Sequence, residues 1–344
     1  HFMNLLVTSK RNYFFIIVVL IVGIAFISYR SLIAYGIAQA TGQLLVIVKA
    51  KPIETFLANP NYPDSLKLRI HQFQRAKEFG AQLGLKQTDN YTKIYDQKNQ
   101  TILWNLSACA PFQFEEVTWD FPFLGSFGYK GFFDLDKAKT ERDQLIAQGF
   151  DVQLRGVSAW STLGWFKDPI LSKMLNNQEA DMVETLFHEL THGTIFLKDR
   201  LQFNENLASF VGQKATIQYL NKYYGAHSEI LKDYINGEED AKKFRSHMLL
   251  GKVQLDSLYN TFGDKQEQST KNNKKDALIG HIVRSLEDLK FHNNRYYHLF
   301  EDNPPNNAYF MSFERYYGEN NQLDSIFLDL DIDIEQFILN YKEH

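Results

Sequence analysis

The chain has 344 residues, of which 44% are hydrophobic and 23% are charged, and its formal net charge at pH 7 is −4. This length is sufficient for a large core, and the slightly acidic balance provides no basic field, so we expect no nucleic-acid partner. A single cysteine, Cys109, excludes an internal disulfide framework and any Cys-x-x-Cys site.

An uncharged stretch near the N-terminus predicts a membrane anchor. Residues 12–29 read NYFFIIVVLIVGIAFISY, which are 18 residues without a charge. As a helix they span about 27 Å, enough for the hydrocarbon core of a bilayer. No good small-x-small cleavage site follows, which favours an uncleaved anchor over a signal peptide. Lys10 and Arg11 precede the stretch, so we expect a single-pass inner-membrane (cytoplasmic-membrane) protein with its N-terminus in the cytoplasm and its body in the periplasm.

The first part of the body is predicted to be helical. Residues 31–49 predict a buried helix that ends near Lys49, because Gln39 and Gln43 make it a poor second membrane span. Residues 65–85 show apolar side chains at helical spacing, closed by Gly80 and Gly84.

The predicted secondary structure then changes twice along the chain. Between 91 and 166, short aromatic and β-branched runs separated by Gly and Pro predict strands, interrupted by one helix that stops at Gly149. Further helices are predicted at 178–199, 204–224, 228–262 and 276–302, with a mobile polar loop at 263–276.

These patterns predict an α+β protein, in which an N-terminal transmembrane helix precedes a small, mostly antiparallel sheet packed on a largely helical body. The predicted segments are a tail and anchor (1–30), a helical segment (31–90), a sheet-containing cleft segment (91–175) and a helical metal-binding half (176–344). We expect residues 31–344 to form one compact domain.

The sequence HELTH, residues 188–192, is the most informative motif. Positions four apart lie on the same face of a helix, so His188 and His192 can bind one Zn²⁺ ion while Glu189 accepts a proton from a water. The alternative is a helix that carries two solvent-facing histidines. The apolar residues Leu186 and Phe187 beside them indicate a buried helix, and buried histidines need partners, which favours the metal site.

The next helix, FNENLASF, supplies a third ligand. Asn204 is predicted to cap this helix and to contact the metal ligands without binding the ion itself. Glu205 follows in the first turn of the helix. Glu205 would complete a His-His-Glu set, the pattern of catalytic zinc sites that keep one position open. Alternatively, Glu205 is only a first-turn acid that complements the helix dipole.

These residues carry a resemblance to a known group of enzymes. HELTH followed by FNENLASFVG resembles the thermolysin-like His-His-Glu zinc metallopeptidases. Together with FPFLGSFGYKGFFD, GFDVQLRGVSAWSTLGWFKDPILSKML and PPNNAY, it is similar to a bacterial family of predicted zinc aminopeptidases with membrane-anchored or lipidated members. The resemblance implies one Zn²⁺ per chain and a peptide substrate, and the missing lipobox cysteine favours the helical anchor.

Further site residues are weaker predictions. The resemblance aligns a tyrosine at Tyr316, a candidate donor to the oxyanion; the alternative, a core or surface aromatic, is favoured. In the strand before the metal helix, Gly156 allows a substrate backbone to approach. Arg155 of that strand either meets a substrate carboxylate or forms an internal salt bridge.

Two more residues have two interpretations each. Asn307, like Asn306, is a turn residue or a donor in the cleft. Glu184 either accepts from the free N–H of a ligand or is only an acid on the helix.

The predicted function is therefore zinc-dependent hydrolysis of peptide bonds, most simply by an aminopeptidase. No residue identifies itself as the group that binds a substrate amino terminus, so a zinc endopeptidase is the alternative within this class. From another class, the chain could be a membrane-tethered interaction protein with a structural metal. The sequence identifies no protein partner.

Overall fold

The computed structural model describes residues 13–17, 29–121, 125–157, 167–198, 200–317, 320–330 and 332–342. The helices in this part of the chain are α1 (Arg30–Lys49), α2 (Ile53–Leu57), α3 (Asp64–Gln82), α4 (Leu135–Ala147), α5 (Glu179–Thr194), α6 (Leu201–Tyr224), α7 (Glu229–Tyr259), α8 (Gln268–Arg284), α9 (Asn307–Tyr317), α10 (Asn320–Leu330) and α11 (Ile334–Lys342). The strands are β1 (Lys51–Pro52), β2 (Lys93–Tyr95), β3 (Trp104–Cys109), β4 (Trp119–Phe121), β5 (Gly125–Phe127), β6 (Lys130–Phe132), β7 (Asp151–Gly156) and β8 (Ile170–Leu171).

The strands form three small sheets. β6, β3 and β7 pair antiparallel in that order, so β7 lies at an edge of this sheet as far as the described residues show. β1 pairs antiparallel with β2, which pairs in parallel with β8, and β4 and β5 form a hairpin. The predicted mixed α+β class with mostly antiparallel pairing is confirmed, although the strands do not share a single sheet.

Two antiparallel helices, α5 and α6, form the centre of the helical half. The predicted apolar stripe of α5 is confirmed, because Val183, Leu186 and Phe187 are fully buried. Burying a side chain of this size contributes about 1.5–3 kcal/mol, so the stripe fixes the rotation of α5 about its axis. This rotation determines which face carries the histidines.

Glu179 anchors the N-terminus of α5. Its carboxylate accepts hydrogen bonds from Gln72 and Arg75 of α3 and from Tyr219 and Tyr224 of α6. The Glu179 side chain is only 2% exposed, so these four donors replace the water that the carboxylate loses. The network therefore ties α5 to both of its neighbouring helices.

Helix α4 begins and ends at residues that are typical of helix termini. Asp134 caps its N-terminus by accepting from the backbone N–H groups of Asp136 and Lys137. Gly149 follows its end with φ of +88°, a conformation that glycine adopts without the steric cost of a side chain. The predicted stop at Gly149 is confirmed.

The prediction of a mobile loop at 263–276 is wrong in its second half, because α8 begins at Gln268. Lys275 is the reason that a polar segment is ordered here. Its side chain is buried, forms an ion pair with Asp151 of β7 and donates to the carbonyl of Pro111. The helix predicted at 276–302 also ends earlier, at Arg284.

The predicted end of α1 at Lys49 is confirmed, but its predicted burial is wrong. Val46 is its one buried residue, while Ile37 and Val48 are 62% and 71% exposed. The helix lies against the sheet along one side only, where Tyr35 and Gln39 both donate to the Gly131 carbonyl.

Among the described helices, α1 is the one that is long and apolar enough to cross a membrane, judged by length and composition. The predicted anchor at 12–29 falls outside the described residues, except for residue 29 and residues 13–17, which are helical.

Candidate metal centre

Helices α5 and α6 bring the three predicted ligands together. His188 and His192 lie one turn apart on α5, and Glu205 faces them from α6. The Nε2 atoms of the two histidines are 3.1 Å apart. Glu205 Oε2 lies 3.5 Å from His188 Nε2, and Glu205 Oε1 lies 3.6 Å from His192 Nε2. Each imidazole nitrogen thus lies near a different oxygen of the same carboxylate, and one ligand atom from each residue lies within 4.8 Å of the others.

These three side chains, called the ligand triangle below, have spacings that suit a metal site. In tetrahedral coordination with bonds of about 2.0–2.1 Å, neighbouring ligand atoms are about 3.3–3.4 Å apart. The observed separations of 3.1, 3.5 and 3.6 Å lie around this value. The donor set of two imidazoles and one carboxylate, with 20–22% of the Glu205 and His188 side chains exposed, leaves one side open to solvent. The residues therefore fit a metal ion with an open coordination position.

The charges within the triangle favour cation binding. Burial alone would raise the pKa of Glu205, but hydrogen bonds from His188 and His192 lower it to about 2. Burial acts in the opposite direction on His192, and the Glu205 carboxylate overcomes it and raises the pKa of His192. Glu205 is therefore fully ionised at neutral pH, and it attracts positive charge, either a proton or a metal ion, to this point.

Glu189 lies in a different environment from the ligands. Burial raises its pKa, while the neighbouring histidines oppose the shift and Glu205 and Asp168 add to it. Asp168 and Tyr91 are both buried within electrostatic range of Glu189, and Tyr91 donates its backbone N–H to the Asp168 carbonyl. Tyr91 has φ of +64°, which is uncommon for a bulky residue. A carboxylate with a raised pKa is a stronger base than an ordinary glutamate.

Sequence analysis did not identify Tyr91 and Asp168 as neighbours of Glu189. They precede it by about 100 and 20 residues, and no local pattern connects them. The positive φ of Tyr91 has no sequence signal, because such positions usually carry glycine or asparagine.

The hydrogen-bond partners behind the ligands differ from the predicted ones. Ser209 Oγ lies 3.4 Å from His188 Nδ1. The Nδ1 atom of His192 is buried without a hydrogen-bond partner among the described residues. Glu184 accepts instead from the Tyr234 hydroxyl at 3.0 Å, and burial followed by the Glu238 charge raises its pKa to about 8.

Asn204 does not cap α6, so this prediction is wrong. The helix begins one turn earlier, at Leu201, and the Asn204 N–H donates within it to the Arg200 carbonyl. The Asn204 side chain accepts from the Leu197 N–H and donates to the Leu197 carbonyl. It therefore holds the connection between the two ligand helices, and Glu205 lies beyond the first turn.

Gly212 allows α5 and α6 to approach each other. A Cβ atom at this position would lie 3.2 Å from the Glu184 carbonyl oxygen and 3.5 Å from the His188 nitrogen. Ala208, a second small residue on this face, is fully buried one turn before it. The spacing of small residues four apart was the signal that could have identified Gly212.

The remaining predicted site residues differ in their exposure to solvent. Arg155 and Gly156 lie at the exposed end of the edge strand β7, and a Cβ on Gly156 would come within 2.7 Å of Thr101. Asn307 is fully buried, where it accepts from Tyr259 and donates to the carbonyls of Ala110 and Pro111. These bonds support a structural role for Asn307, and its role in substrate binding stays a prediction without support. Residue 316 lies in α9, and its side chain is outside the described part.

The fold and the site define a mixed α+β protein with a His-His-Glu group that could hold a metal ion. A family model described as "Putative aminopeptidase" matches residues 34–343, and the chain belongs to this family. The match includes the ligand helices and the edge strand. Comparisons with curated proteins and with solved structures found no match. Family membership indicates a peptidase that acts on peptide substrates.

Proposed function

We propose that the protein is a zinc-dependent aminopeptidase in which His188, His192 and Glu205 hold one Zn²⁺ ion per chain. The observation that carries this proposal is the ligand triangle, in which the two imidazole Nε2 atoms lie 3.1 Å apart and lie 3.5 and 3.6 Å from the two oxygens of the Glu205 carboxylate. Two imidazoles and one carboxylate, with a further position open, are the donor set of catalytic zinc sites.

A Zn²⁺ ion held by His188, His192 and Glu205 would supply Lewis acidity toward the scissile carbonyl and would lower the pKa of a water molecule. Glu189 accepts a proton from that water and delivers it to the leaving amine. Its raised pKa suits this task, because a group whose pKa lies closer to neutrality exchanges protons in both directions. Tyr316 remains a proposed hydrogen-bond donor to the oxygen of the tetrahedral intermediate.

The edge strand β7 suits the binding of an extended peptide. Val157 donates to the Leu103 carbonyl at 2.9 Å, so in the antiparallel register residues 153 and 155 also direct their main-chain groups toward β3. Leu154 and Gly156 then direct theirs toward the open edge. A substrate backbone can add to this edge as a further strand, and Arg155 extends beside it.

The test compares two glutamate variants. Glu189→Gln should retain about one zinc per chain by elemental analysis and lose peptide turnover, because the amide cannot accept the proton. Glu78→Gln, an exposed glutamate of α3, is the matched control and should keep both properties. Full turnover in Glu189→Gln would refute the proposed role. His188→Ala and Glu205→Gln should each lose zinc.

Two alternatives give different results in the same preparation. An aminopeptidase cleaves peptides with a free amino terminus and leaves N-acetylated peptides intact, whereas an endopeptidase cleaves both. A membrane-tethered interaction protein with a structural metal cleaves neither. The solvent exposure of His188 and Glu205 disfavours a structural metal, because structural zinc sites are closed by four protein ligands.

We also propose that residues 12–29 anchor the protein in the cytoplasmic membrane with the body in the periplasm. The hydrogen bonds of Tyr35 and Gln39 to Gly131 support residues 12–29 as the anchor rather than α1, since they hold α1 against the sheet. Protease added to intact spheroplasts should then digest the body. Protection of the body would reverse the orientation.

A further inference from the structure

A cavity of about 440 Å³ lies between the edge strand β7, helices α7 and α9, and the turn Asn294–Tyr296. Three arginines line it, namely Arg155 of β7, Arg245 of α7 and Arg295 of the turn. None of the described residues that line it is acidic. Aromatic side chains, among them Phe244 and Tyr309, complete its walls. The cavity therefore combines concentrated positive charge with apolar surface.

The arginines differ in how they are held. Arg295 donates to the Tyr296 hydroxyl at 2.8 Å, and its guanidinium lies 4.8 Å from the centre of the Tyr296 ring. Arg245 lies 3.8 Å from the Glu238 carboxylate and keeps 18% of its side chain exposed. Arg155 extends from the exposed end of β7. A planar guanidinium that is already oriented loses little freedom when it binds a carboxylate with two hydrogen bonds.

Side-chain contacts connect the cavity with the helices that carry the proposed ligands: Glu238, 3.8 Å from Arg245, accepts from Gln213 of α6, and Tyr234 of α7 donates to Glu184 of α5. Burial raises the pKa of Asp181 while Arg295 lowers it, so these side chains are within electrostatic range of each other. Asp181 precedes His188 by seven residues, which corresponds to about 10 Å along the helix axis. About three residues of an extended peptide match this axial separation between Asp181, which is in range of Arg295, and the proposed ligand His188.

The strand that we propose to bind the substrate also forms one wall of the cavity. Gln153 and Arg155 are two residues apart, so their side chains point to the same face of β7, and both line the cavity. Leu154 and Gly156 direct their main-chain groups to the open edge. A peptide added at this edge therefore passes the mouth of the cavity.

We propose that this three-arginine cavity binds a carboxylate of the peptide substrate, so that the enzyme prefers short peptides that end in a free carboxylate or carry an acidic side chain. The inference rests on the proposed peptidase function. It adds a specificity site that is separate from the metal ligands.

Binding can be measured without turnover in zinc-loaded, full-length Glu189→Gln protein. Calorimetric titration would compare trialanine, its C-terminal amide, and amidated Ala-Ala-Glu and Ala-Ala-Gln. We expect a peptide with a carboxylate to bind about tenfold more tightly than its neutral counterpart. A preference for trialanine over its amide identifies the C-terminus as the recognised group, and a preference for Ala-Ala-Glu amide over Ala-Ala-Gln amide identifies an acidic side chain. Equal affinities in both pairs would overturn the proposal.

Arginine variants test whether the cavity causes the preference for peptides with a carboxylate. Arg155→Gln and Arg295→Gln should each remove most of the preference, and Arg295→Lys should restore part of it. Arg142→Gln on α4 is the matched control and should retain the full preference, because Arg142 pairs with Asp143 outside the cavity. A preference that survives both cavity variants would place carboxylate recognition elsewhere and refute the assignment.

The two proposals fail in distinguishable ways. If the wild-type protein cleaves no peptide but the arginine-dependent preference is observed, the peptidase function fails and the cavity stands as a carboxylate site. If the wild-type protein cleaves charged and neutral peptides equally and the cavity variants do not alter this, the cavity proposal fails and the peptidase stands.

Discussion

Replacing Gly212 by alanine tests whether the close packing of α5 against α6 shapes the candidate metal centre. The new Cβ would lie 3.2 Å from the Glu184 carbonyl oxygen, a few tenths of an ångström inside ordinary contact. The contacted atoms belong to the backbone of a buried helix and cannot rotate away. Overpacking of this kind costs about 1–3 kcal/mol, whereas alanine gains about 1 kcal/mol of helix propensity over glycine. We expect a net destabilisation of about 1 kcal/mol.

The same substitution should weaken metal binding. Gly212 lies two turns after Glu205 on α6, so separating the helices moves the Glu205 carboxylate away from His188. Catalytic geometries tolerate only about 0.5 Å of displacement, and we expect a loss of zinc affinity on the order of tenfold.

Gly237→Ala in α7 is the matched control. No heavy atom lies within 4 Å of the position that a Cβ would take there, so alanine should stabilise the protein by about 0.5–1 kcal/mol without altering zinc affinity. Urea denaturation with a chelator present measures the free energy of unfolding, and competition with a chromophoric chelator measures zinc affinity. The reasoning would be refuted if Gly212→Ala stabilised the protein as much as the control and left zinc affinity unchanged.

Three further predictions concern buried groups. Glu179→Ala should lower the free energy of unfolding by about 3 kcal/mol because it leaves four donors without their acceptor, whereas the exposed first-turn acid Glu229 should tolerate alanine within about 0.5 kcal/mol. The folded-state pKa of Glu184, about 8 against the usual 4.5, makes stability fall as pH rises from about 5 to 8. Glu184→Gln should reduce this slope in denaturation measurements, and an unchanged slope would contradict the assignment. Burial, followed by the Asp151 charge, raises the pKa of Cys109 to about 12, so a thiol reagent at pH 8 should label it only after unfolding.

The ligand triangle shows which parts of the site local sequence patterns can predict. The period of a helix requires that residues four apart share a face, so the pairing of His188 with His192 followed from the sequence. The apolar residues of α5 indicated which face would be buried. The approach of Glu205, by contrast, was inferred from a second helix whose start was predicted one turn too late. It was still placed correctly because the direction of α6 depends on its packing against α5, and not on where its first residue lies.

Local patterns were misleading where a distant residue changes the environment. The polar segment around Lys275 gave no sign of helix, and it is ordered by an ion pair with Asp151, which is 124 residues away. The apolar composition of α1 indicated burial, but the sheet covers only one side of the helix. In both cases the partner, rather than the segment itself, determined the outcome.

The sequence by itself determined the mixed α+β class and the placement of His188, Glu189 and His192 on one helix, because these features depend on periodicity over a few residues. Only the tertiary structure brought Tyr91 and Asp168 within electrostatic range of Glu189, gave His188 its contact with Ser209, and placed Arg155, Arg245 and Arg295 around one cavity. The physical reason is that such contacts join segments far apart in the chain. Their energies are set by the packing of whole helices and strands, which no short stretch of sequence encodes.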